Sequence, residues 1–394
     1  MQEVKHMLLN YSVKGYKVFY DEVTFSMVAD NYIKKNQDNL IKGVAKKYDL
    51  VKSSLIYGPN NTGKSCFLES FKFFLGILKN KKISFEKYDK NIFYKEEMPM
   101  EFKVEFAIDN QIYCYELSFT EKKVVQEVLK KNNANIFDRE NRDKVAKIIF
   151  ENLGERPEEL FLNFLPKEYF GDLNYINNFI DSFEFLETTK SRYGVNTSKM
   201  LEGNNFIEIN EIIKKLDLHI ESLIDNSEVV ENLKKDETID DSLLERLKIF
   251  TKYNFKGIEE VLPFGLIDSM GTIQITNLIY TFLSAIKNNK ILIIDEIETS
   301  LHTLITKSLI SYYNSHNNTS SQLIATSHDL LLLDDKYLLR KDQIWFVHKD
   351  ENGNYLYCLN DFKDNSETDP RGNVMKKYLK GLFGALPEPK WFSE

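Results

Sequence analysis

The feature that most constrains the fold of this chain is one short segment, GPNNTGKS, at residues 58–65. It matches the phosphate-binding pattern G-x4-G-K-[ST] in full. The apolar stretch SSLIY precedes it, and the stretch that follows, CFLESFKFFLGILK, has apolar residues at helical spacing. The sequence therefore predicts a buried strand, a glycine-rich loop and a helix, an arrangement in which backbone N–H groups bind phosphate.

This loop assigns candidate roles to its side chains. Lys64 is expected to reach the β- and γ-phosphates of ATP, and the Ser65 hydroxyl is expected to bind Mg²⁺. The residues expected to contact the nucleotide are Gly58, Pro59, Asn60, Asn61, Thr62, Gly63, Lys64, Ser65 and Cys66.

A second part of the site is predicted much later in the chain, in the stretch ILIIDE. Its four apolar residues indicate a buried strand that ends at Asp295. That carboxylate would hold Mg²⁺ through water, and Glu296 would orient or deprotonate the attacking water. Because the two parts lie so far apart in the chain, we predict one sheet interrupted by an insertion, with Lys64 and Glu296 serving ATP hydrolysis.

Two further polar motifs fall in this later region. TSHD follows the apolar stretch QLIA, which places His328 past the end of a second buried strand, as a candidate sensor of the γ-phosphate. DSMGT opens a predicted helix, and a helix N-terminus is a natural anion site. Since the loop already serves the chain's own nucleotide, Ser269, Gly271 and Thr272 would contact the nucleotide bound to another subunit.

The hydrophobic pattern divides the chain into three parts. In residues 1–129 the pattern predicts mainly strands. A meander with a turn at Asp109-Asn110 is predicted over 100–131, which extends slightly past this boundary. Residues 130–255 read as a helical insertion, with amphipathic helices in EELFLNFL, DLNYINNFIDSFEFL, NFIEINEIIKKLDLHIESLI and DSLLERLKIF. Residues 256–394 return to alternating strands and helices, with a hairpin in DQIWFVHKDENGNYLYCL.

Composition narrows the class of protein. The 394 residues are 42% hydrophobic and carry a formal charge of −8, which favours a globular fold and does not favour nucleic acid as a partner. The three cysteines, Cys66, Cys114 and Cys358, are far apart and form no CxxC pair, which indicates a reducing compartment. The apolar stretches are shorter than the ~20 residues of a membrane helix, so we expect a cytoplasmic protein with no membrane partner.

In this order, GPNNTGKS, SMGT, LIIDEIETSLH and TSHD resemble the ABC-type ATPase heads of SMC and OLD proteins. More closely, the chain resembles the AAA/ABC-like ATPases of bacterial abortive-infection and phage-defence loci, the RloA-like group. The opening strand MLLNYSVKGYKVF and the closing motif YLKGLFGALP support that resemblance. It implies an α/β fold, a P-loop NTPase of the ABC-ATPase-head type with an inserted, mainly helical subdomain.

The sequence departs from the family pattern at several positions. The signature is Ser269-Met270-Gly271-Thr272 and lacks the glycine pair of transporters. Leu382 and Phe383 stand where the group usually has Arg and Tyr. Gln111 and Gln126 both lie in the lobe that should supply the Q-loop glutamine, and the sequence does not choose between them. His302, in the segment that takes the place of the D-loop, agrees with the family.

The resemblance implies a homodimer that sandwiches two ATP molecules with Mg²⁺ and opens on hydrolysis, with higher oligomers left open. It further implies that the dimer senses infection and controls an effector, a nuclease or toxin encoded nearby. The main alternative is an SMC-like nucleic-acid-binding ATPase in DNA repair, against which the acidic charge and the lack of long heptads argue. A nuclease acting alone and a transporter subunit are weaker alternatives, since neither a separate carboxylate cluster nor the transporter signature is present.

Overall fold

The computed structural model describes residues 5–84, 98–153, 156–187, 197–216, 220–233, 244, 247–264, 268–362 and 373–386. The chain forms two compact units. Unit 1 consists of Met1–Leu186, Asn289–Glu296 and Asn314–Glu394, and unit 2 consists of Glu187–Asn288 and Ile297–Tyr313.

The strands in chain order are β1 (His6–Lys14), β2 (Val23–Ser26), β3 (Leu40–Val44), β4 (Tyr48–Val51), β5 (Ser53–Tyr57), β6 (Met100–Ile108), β7 (Gln111–Phe119), β8 (Val124–Lys131), β9 (Ala134–Asp138), β10 (Phe183–Glu187), β11 (Ser222–Asp225), β12 (Ile249–Phe255), β13 (Ile258–Pro263), β14 (Ile291–Asp295), β15 (Gln322–Thr326), β16 (Ile344–Lys349) and β17 (Asn354–Cys358). The helices are α1 (Lys64–Asn80), α2 (Lys144–Leu153), α3 (Phe170–Asp181), α4 (Thr197–Met200), α5 (Asn205–Lys215), α6 (Ser227–Leu233), α7 (Met270–Lys287), α8 (Thr303–Tyr313) and α9 (Val374–Leu379). Short 3-10 helices cover Gln37–Asn39, Phe161–Phe164, Lys167–Tyr169, Leu330–Asp334, Lys341–Gln343 and Leu359–Asp361.

Unit 1 contains a mainly parallel sheet with strand order β10-β14-β15-β5-β16-β17. The neighbours β14 and β15, β15 and β5, and β5 and β16 are parallel, while β16 and β17 form the predicted hairpin. Every residue of β5 is buried, as the apolar pattern predicts. Because β14, β15 and β5 run in the same direction, the residues that follow them emerge at one edge of the sheet.

Unit 1 also contains an antiparallel sheet with strand order β2-β1-β6-β7-β8-β9. Residues 100–131 form the predicted meander, and Ile108 pairs with Gln111 around the Asp109-Asn110 turn. Asp109 has a φ of 51°, the left-handed conformation that short polar residues adopt in tight turns. The predicted turn is confirmed.

Helix α1 packs its aromatic face against the antiparallel sheet. The ring of Phe71 stacks on Tyr11 of β1 at 3.8 Å between centroids, and Phe74 stacks on Phe102 of β6 at 5.0 Å. The apolar residues whose spacing predicts this helix are all buried: Phe67, Phe71, Phe74, Leu75 and Leu78. Burial of such side chains contributes about 1.5–3 kcal/mol each, so α1 is held firmly behind the loop that precedes it.

Unit 2 contains an antiparallel sheet of β11, β12 and β13 together with α4 to α8. Helix α7 has the longest buried face of this unit and lies against α5 and α8. The rings of Phe282 on α7 and Tyr313 on α8 meet edge to face at 4.8 Å. The helix that DSMGT is predicted to open is therefore confirmed as α7, and α8 agrees with the alternation of strands and helices predicted for residues 256–394.

The segment 130–255 contains strands that its helical pattern does not predict. The helix predicted for DSLLERLKIF is wrong at its last two residues, because Ile249 and Phe250 begin β12. Much of the rest of this stretch lies outside the described residues. The helix predicted for DLNYINNFIDSFEFL is wrong at its end: α3 stops at Asp181, and most of SFEFL forms β10. There Phe183 packs against Phe71 and Phe179. Aromatic and β-branched residues favour a strand where packing is available. The two compact units divide the chain at other residues than 130 and 255. The three-part division with boundaries at 130 and 255 stays a prediction.

The described part of the closing motif YLKGLFGALP packs on the β16–β17 hairpin. The rings of Tyr378 and Phe383 each stack on Phe346 at 5.5 Å, and the Tyr357 hydroxyl donates to the Phe383 carbonyl oxygen. Phe383 is buried, so its departure from the family pattern fills the core of unit 1. Among the described residues, none of the helices has the length and apolar character needed to cross a membrane.

Candidate functional site

The phosphate-binding loop connects the end of β5 to the first residue of α1. A Cβ atom on Gly58 would lie 2.3 Å from the Val347 carbonyl oxygen of β16, so no side chain fits there. Gly63 has a φ of 111°, and its Cβ would lie 2.7 Å from Val18 Cγ2. Glycine is thus required at both positions by the neighbouring backbone and packing, in addition to the phosphate pattern.

The side chain of Lys64 lies across the loop. Its Nζ donates hydrogen bonds to the carbonyl oxygens of Gly58 at 2.8 Å and Pro59 at 2.9 Å, and the residue is buried. The Thr62 hydroxyl also donates to the Pro59 carbonyl, and the Asn354 side chain of β17 donates to the Thr62 carbonyl at 2.6 Å. These bonds close the loop around the ammonium group, so a buried positive charge is held by the carbonyl oxygens of the loop.

The other predicted loop residues differ in accessibility. Asn60, Asn61 and Ser65 are exposed, while Pro59 and Cys66 are half-buried. Burial raises the pKa of the Cys66 thiol, and the negative charges of Glu69 and Asp295 act in the same direction. Helix α1 also contacts β14, the strand that ends at Asp295.

Asp295 and Glu296 follow the buried residues of β14, as the sequence predicts. The Thr326 hydroxyl, at the end of the adjacent β15, donates to Asp295 Oδ1 at 2.5 Å and accepts from the Glu296 N–H at 2.7 Å. Glu296 has a φ of 53°, an uncommon conformation for a residue with a side chain. Both acidic side chains are half-buried at the edge where β5 also ends.

His328 lies two residues past β15. Its Nε2 atom is 3.9 Å from Glu296 Oε1, and the two side chains are 38% and 42% exposed. The next residue, Asp329, caps the 3-10 helix Leu330–Asp334 by accepting from the Leu331 N–H at 3.0 Å. The structure therefore brings His328 and Glu296 together at the edge that carries the phosphate-binding loop.

The residues proposed for Mg²⁺ offer the right chemistry. Ser65 supplies a hydroxyl and Asp295 a carboxylate, both hard oxygen donors of the kind Mg²⁺ prefers. Among the described residues, no group of three or more His, Cys, Asp or Glu side chains could hold a metal ion by itself. A cation at this edge would therefore depend on phosphate oxygens of a nucleotide as well as on the protein.

The signature residues lie in unit 2, at the start of α7. Ser269 is the N-cap, and its Oγ accepts from the Thr272 N–H at 3.1 Å. Ser269 and Met270 are exposed. A Cβ on Gly271 would lie 2.9 Å from the Ser300 carbonyl oxygen, so the start of the helix packs directly on the segment after β14.

His302 and the two candidate Q-loop glutamines have local roles in the structure. His302 Nδ1 accepts from the Leu304 N–H at 3.2 Å at the start of α8. Gln111 ends the β6–β7 turn and accepts from the Asn132 side chain, while Gln126 is half-buried on β8 opposite Ser118. The choice between the glutamines stays open.

Sequence reasoning does not identify Thr326 or Asn354. Thr326 stands in the quoted TSHD motif, but a threonine at the end of a strand is too common to be a signal. Asn354 follows Gly353 in the tight turn of a hairpin, where asparagine is ordinary. Both residues gain their importance from the neighbours that the sheet gives them.

Comparison with known proteins identifies a matching family. The family model described as "AAA domain, putative AbiEii toxin, Type IV TA system" matches residues 53–334. The chain is similar to the SMC head domain from Thermotoga maritima, with 12% identity, a TM-score of 0.46, and coverage of 89% of this chain and 98% of that chain. It is similar to an SmcHead bound to the C-winged helix domain of ScpA, with 14% identity, a TM-score of 0.44 and the same two coverages. None of the curated proteins compared with the chain matches it.

Proposed function

The chain belongs to the AAA family described as putative AbiEii toxin, type IV toxin–antitoxin system, and from that membership we propose that it is a Mg²⁺-dependent ATPase that dimerises on ATP and controls an antiphage effector. Its class is given by the family and by the fold: it is an ATPase with an α/β P-loop NTPase fold of the ABC-head type. The dimer, the metal, the effector and the RloA-like assignment belong to the proposal.

The observation that carries the proposal is the shared sheet edge. The loop with Lys64 follows β5, the pair Asp295-Glu296 ends β14, and His328 follows β15, three parallel neighbours in one sheet. Hydrolysis of a phosphoanhydride needs positive charge at the phosphates and a carboxylate near the attacking water. This edge brings both kinds of group together.

Each side chain has a step in the proposed reaction. Lys64 exchanges its two loop carbonyls for β- and γ-phosphate oxygens. Ser65 and Asp295 would hold Mg²⁺, which would supply positive charge to the phosphates. Glu296 orients the attacking water and accepts its proton. His328, close to Glu296, donates to the γ-phosphate and reports whether it is present.

The dimer is proposed from the signature. Ser269 and Met270 are exposed at the N-terminus of an 18-residue helix, where backbone N–H groups and the helix dipole favour an anion. The phosphate-binding loop, with Lys64 and Ser65, already serves the nucleotide of the same chain. We therefore assign Ser269, Gly271 and Thr272 to the γ-phosphate held by a second copy of the chain.

The regulatory role rests on the family. Its description names a putative toxin and a type IV toxin–antitoxin system, which supports a place in abortive infection. Binding of ATP would close the dimer and hydrolysis would open it, and the resulting movement would be transmitted to a nuclease or toxin.

The test is purification of the tagged protein from its native locus, with neighbouring genes intact. We expect a stoichiometric second protein with the Glu296→Gln variant in ATP and less of it with Lys64→Ala. A protein that carries nucleic acid in place of a protein partner would contradict the effector role and favour an SMC-like repair ATPase. Lys72→Ala, a surface variant of helix α1, which begins at Lys64, serves as the control for the tag and the preparation.

A further inference from the structure

One buried hydroxyl connects the two acidic residues at the end of β14. Thr326 has no exposed surface. Its hydroxyl donates to Asp295 Oδ1 at 2.5 Å and accepts from the Glu296 N–H at 2.7 Å. A single group that both donates and accepts therefore fixes two consecutive residues relative to the neighbouring strand.

The second of these residues is held in an unfavourable backbone conformation. A φ of 53° places Glu296 in the left-handed region, which residues with a side chain seldom occupy. Such conformations persist only where surrounding structure enforces them. The direction in which the Glu296 carboxylate leaves the backbone depends on this φ, and the bond to its N–H is made by Thr326.

We propose that Thr326 is a positioning residue for hydrolysis: it holds Glu296 in its left-handed conformation and Asp295 in its orientation, so that both carboxylates face the nucleotide. The proposal rests on the proposed ATP hydrolysis at this edge. Thr326 also belongs to the strand that leads to His328. Its two bonds thus fix β14 and β15 in one relation and place Glu296 and His328 3.9 Å apart.

The chain offers a matched set of variants. Thr326→Val keeps the size and branching but can neither donate nor accept, while Thr326→Ser keeps the hydroxyl. Thr306 on α8 is also fully buried, and within the described residues its hydroxyl makes no hydrogen bond. Thr306→Val is therefore a control for the loss of a buried hydroxyl as such.

The first measurement is single-turnover cleavage of ATP together with equilibrium binding of a fluorescent ATP analogue, with and without Mg²⁺. We expect Thr326→Val to slow cleavage about 100-fold, since a displacement of about 1 Å costs that much. Binding without Mg²⁺ should change less than about 3-fold, while the gain in affinity on adding Mg²⁺ should shrink because Asp295 is no longer oriented. Thr326→Ser should recover both properties to within about 3-fold, and Thr306→Val should change neither.

The second measurement separates positioning from a general structural role. In a Glu296→Gln background only the Asp295 carboxylate is left to position, so Thr326→Val should slow the residual cleavage by much less than about 100-fold, although it should still weaken the effect of Mg²⁺ on binding. An equal loss in both backgrounds, or a serine variant as slow as the valine variant, would overturn the proposal.

If Thr326→Val does not fold, as judged by its thermal unfolding, Thr326→Ala gives the same comparison at smaller volume. Two further outcomes are distinguishable. A wild-type protein that does not cleave ATP would contradict the proposed function itself. A wild-type protein that cleaves ATP, with an unaffected Thr326→Val variant, would contradict only the role of Thr326.

Discussion

The Nε2 atom of His328 lies 3.9 Å from the Glu296 carboxylate, although the two residues follow different strands of the parallel sheet, β15 and β14. Both side chains are partly exposed, so a direct ion pair between them would contribute little to stability. Their proximity matters because it places the donor and the general base that we propose at one point of the sheet edge.

Replacement of His328 by alanine should impair the chemical step. We expect kcat for ATP hydrolysis to fall by about 100–1,000-fold, the usual cost of removing a donor to developing charge. Affinity for ATP should change little, because the loop and Lys64 remain. Steady-state kinetics and nucleotide binding check this, with the exposed His316→Ala as control. A normal kcat would contradict the sensor role of His328.

Replacement of Lys64 by alanine should prevent nucleotide binding. Its ammonium group is held by two loop carbonyls at 2.8 and 2.9 Å, ready for exchange with phosphate. Loss of this charge-assisted contact should weaken ATP affinity by at least about 100-fold. Isothermal titration calorimetry checks it. The control is Lys72→Ala on the exposed side of the same helix, which should bind as the wild type does.

Replacement of Gly271 by alanine should act on association and leave binding intact. The new Cβ would lie 2.9 Å from the Ser300 carbonyl oxygen, so the start of α7 must shift. We expect ATP-dependent association of the Glu296→Gln protein to weaken at least about 10-fold, while the monomer binds ATP normally.

The matched control for that variant is Gly76→Ala in α1, where a Cβ meets nothing within 4 Å. It should stabilise the fold by about 0.4–1 kcal/mol without affecting association. Equal association of the Gly271→Ala and Gly76→Ala variants would contradict a role for the signature residues at the start of α7 in the dimer.

Acidification should destabilise the protein through His6. Burial lowers the pKa of His6 below its usual 6.5, so the unfolded state binds more protons as the pH falls through that value. Stability is therefore lost below about pH 6.5. His6→Phe should reduce the difference in melting temperature between about pH 8 and pH 5.5. Thermal unfolding at both pH values checks this, and an unchanged difference would assign the effect to other groups.

The nucleotide-binding parts could be predicted from the sequence because each is local. The loop needs only its own glycines, Lys64 and Ser65 between a strand and a helix, and Asp295-Glu296 needs only the buried strand before it. Packing in the core of unit 1 explains why α1 follows its apolar spacing so closely.

The remaining features depend on neighbours that are distant in the sequence. Phe183 and Phe185 form a strand because the core next to α1 accepts their rings, a condition that no local pattern expresses. The role of Thr326 exists only because β15 lies beside β14. Sheet order, and with it the approach of His328 to Glu296, comes from long-range pairing.

The most direct test of the proposed mechanism is the mass in solution of the Glu296→Gln protein with Mg²⁺ and either ATP or ADP, measured by light scattering after gel filtration. The variant should bind ATP, cleave it only at a small residual rate and elute with the mass of two chains, and it should return to one chain in ADP. A Glu296→Gln protein that stays a single chain in ATP and hydrolyses it at the wild-type rate would contradict both the catalytic role of Glu296 and the ATP-dependent dimer.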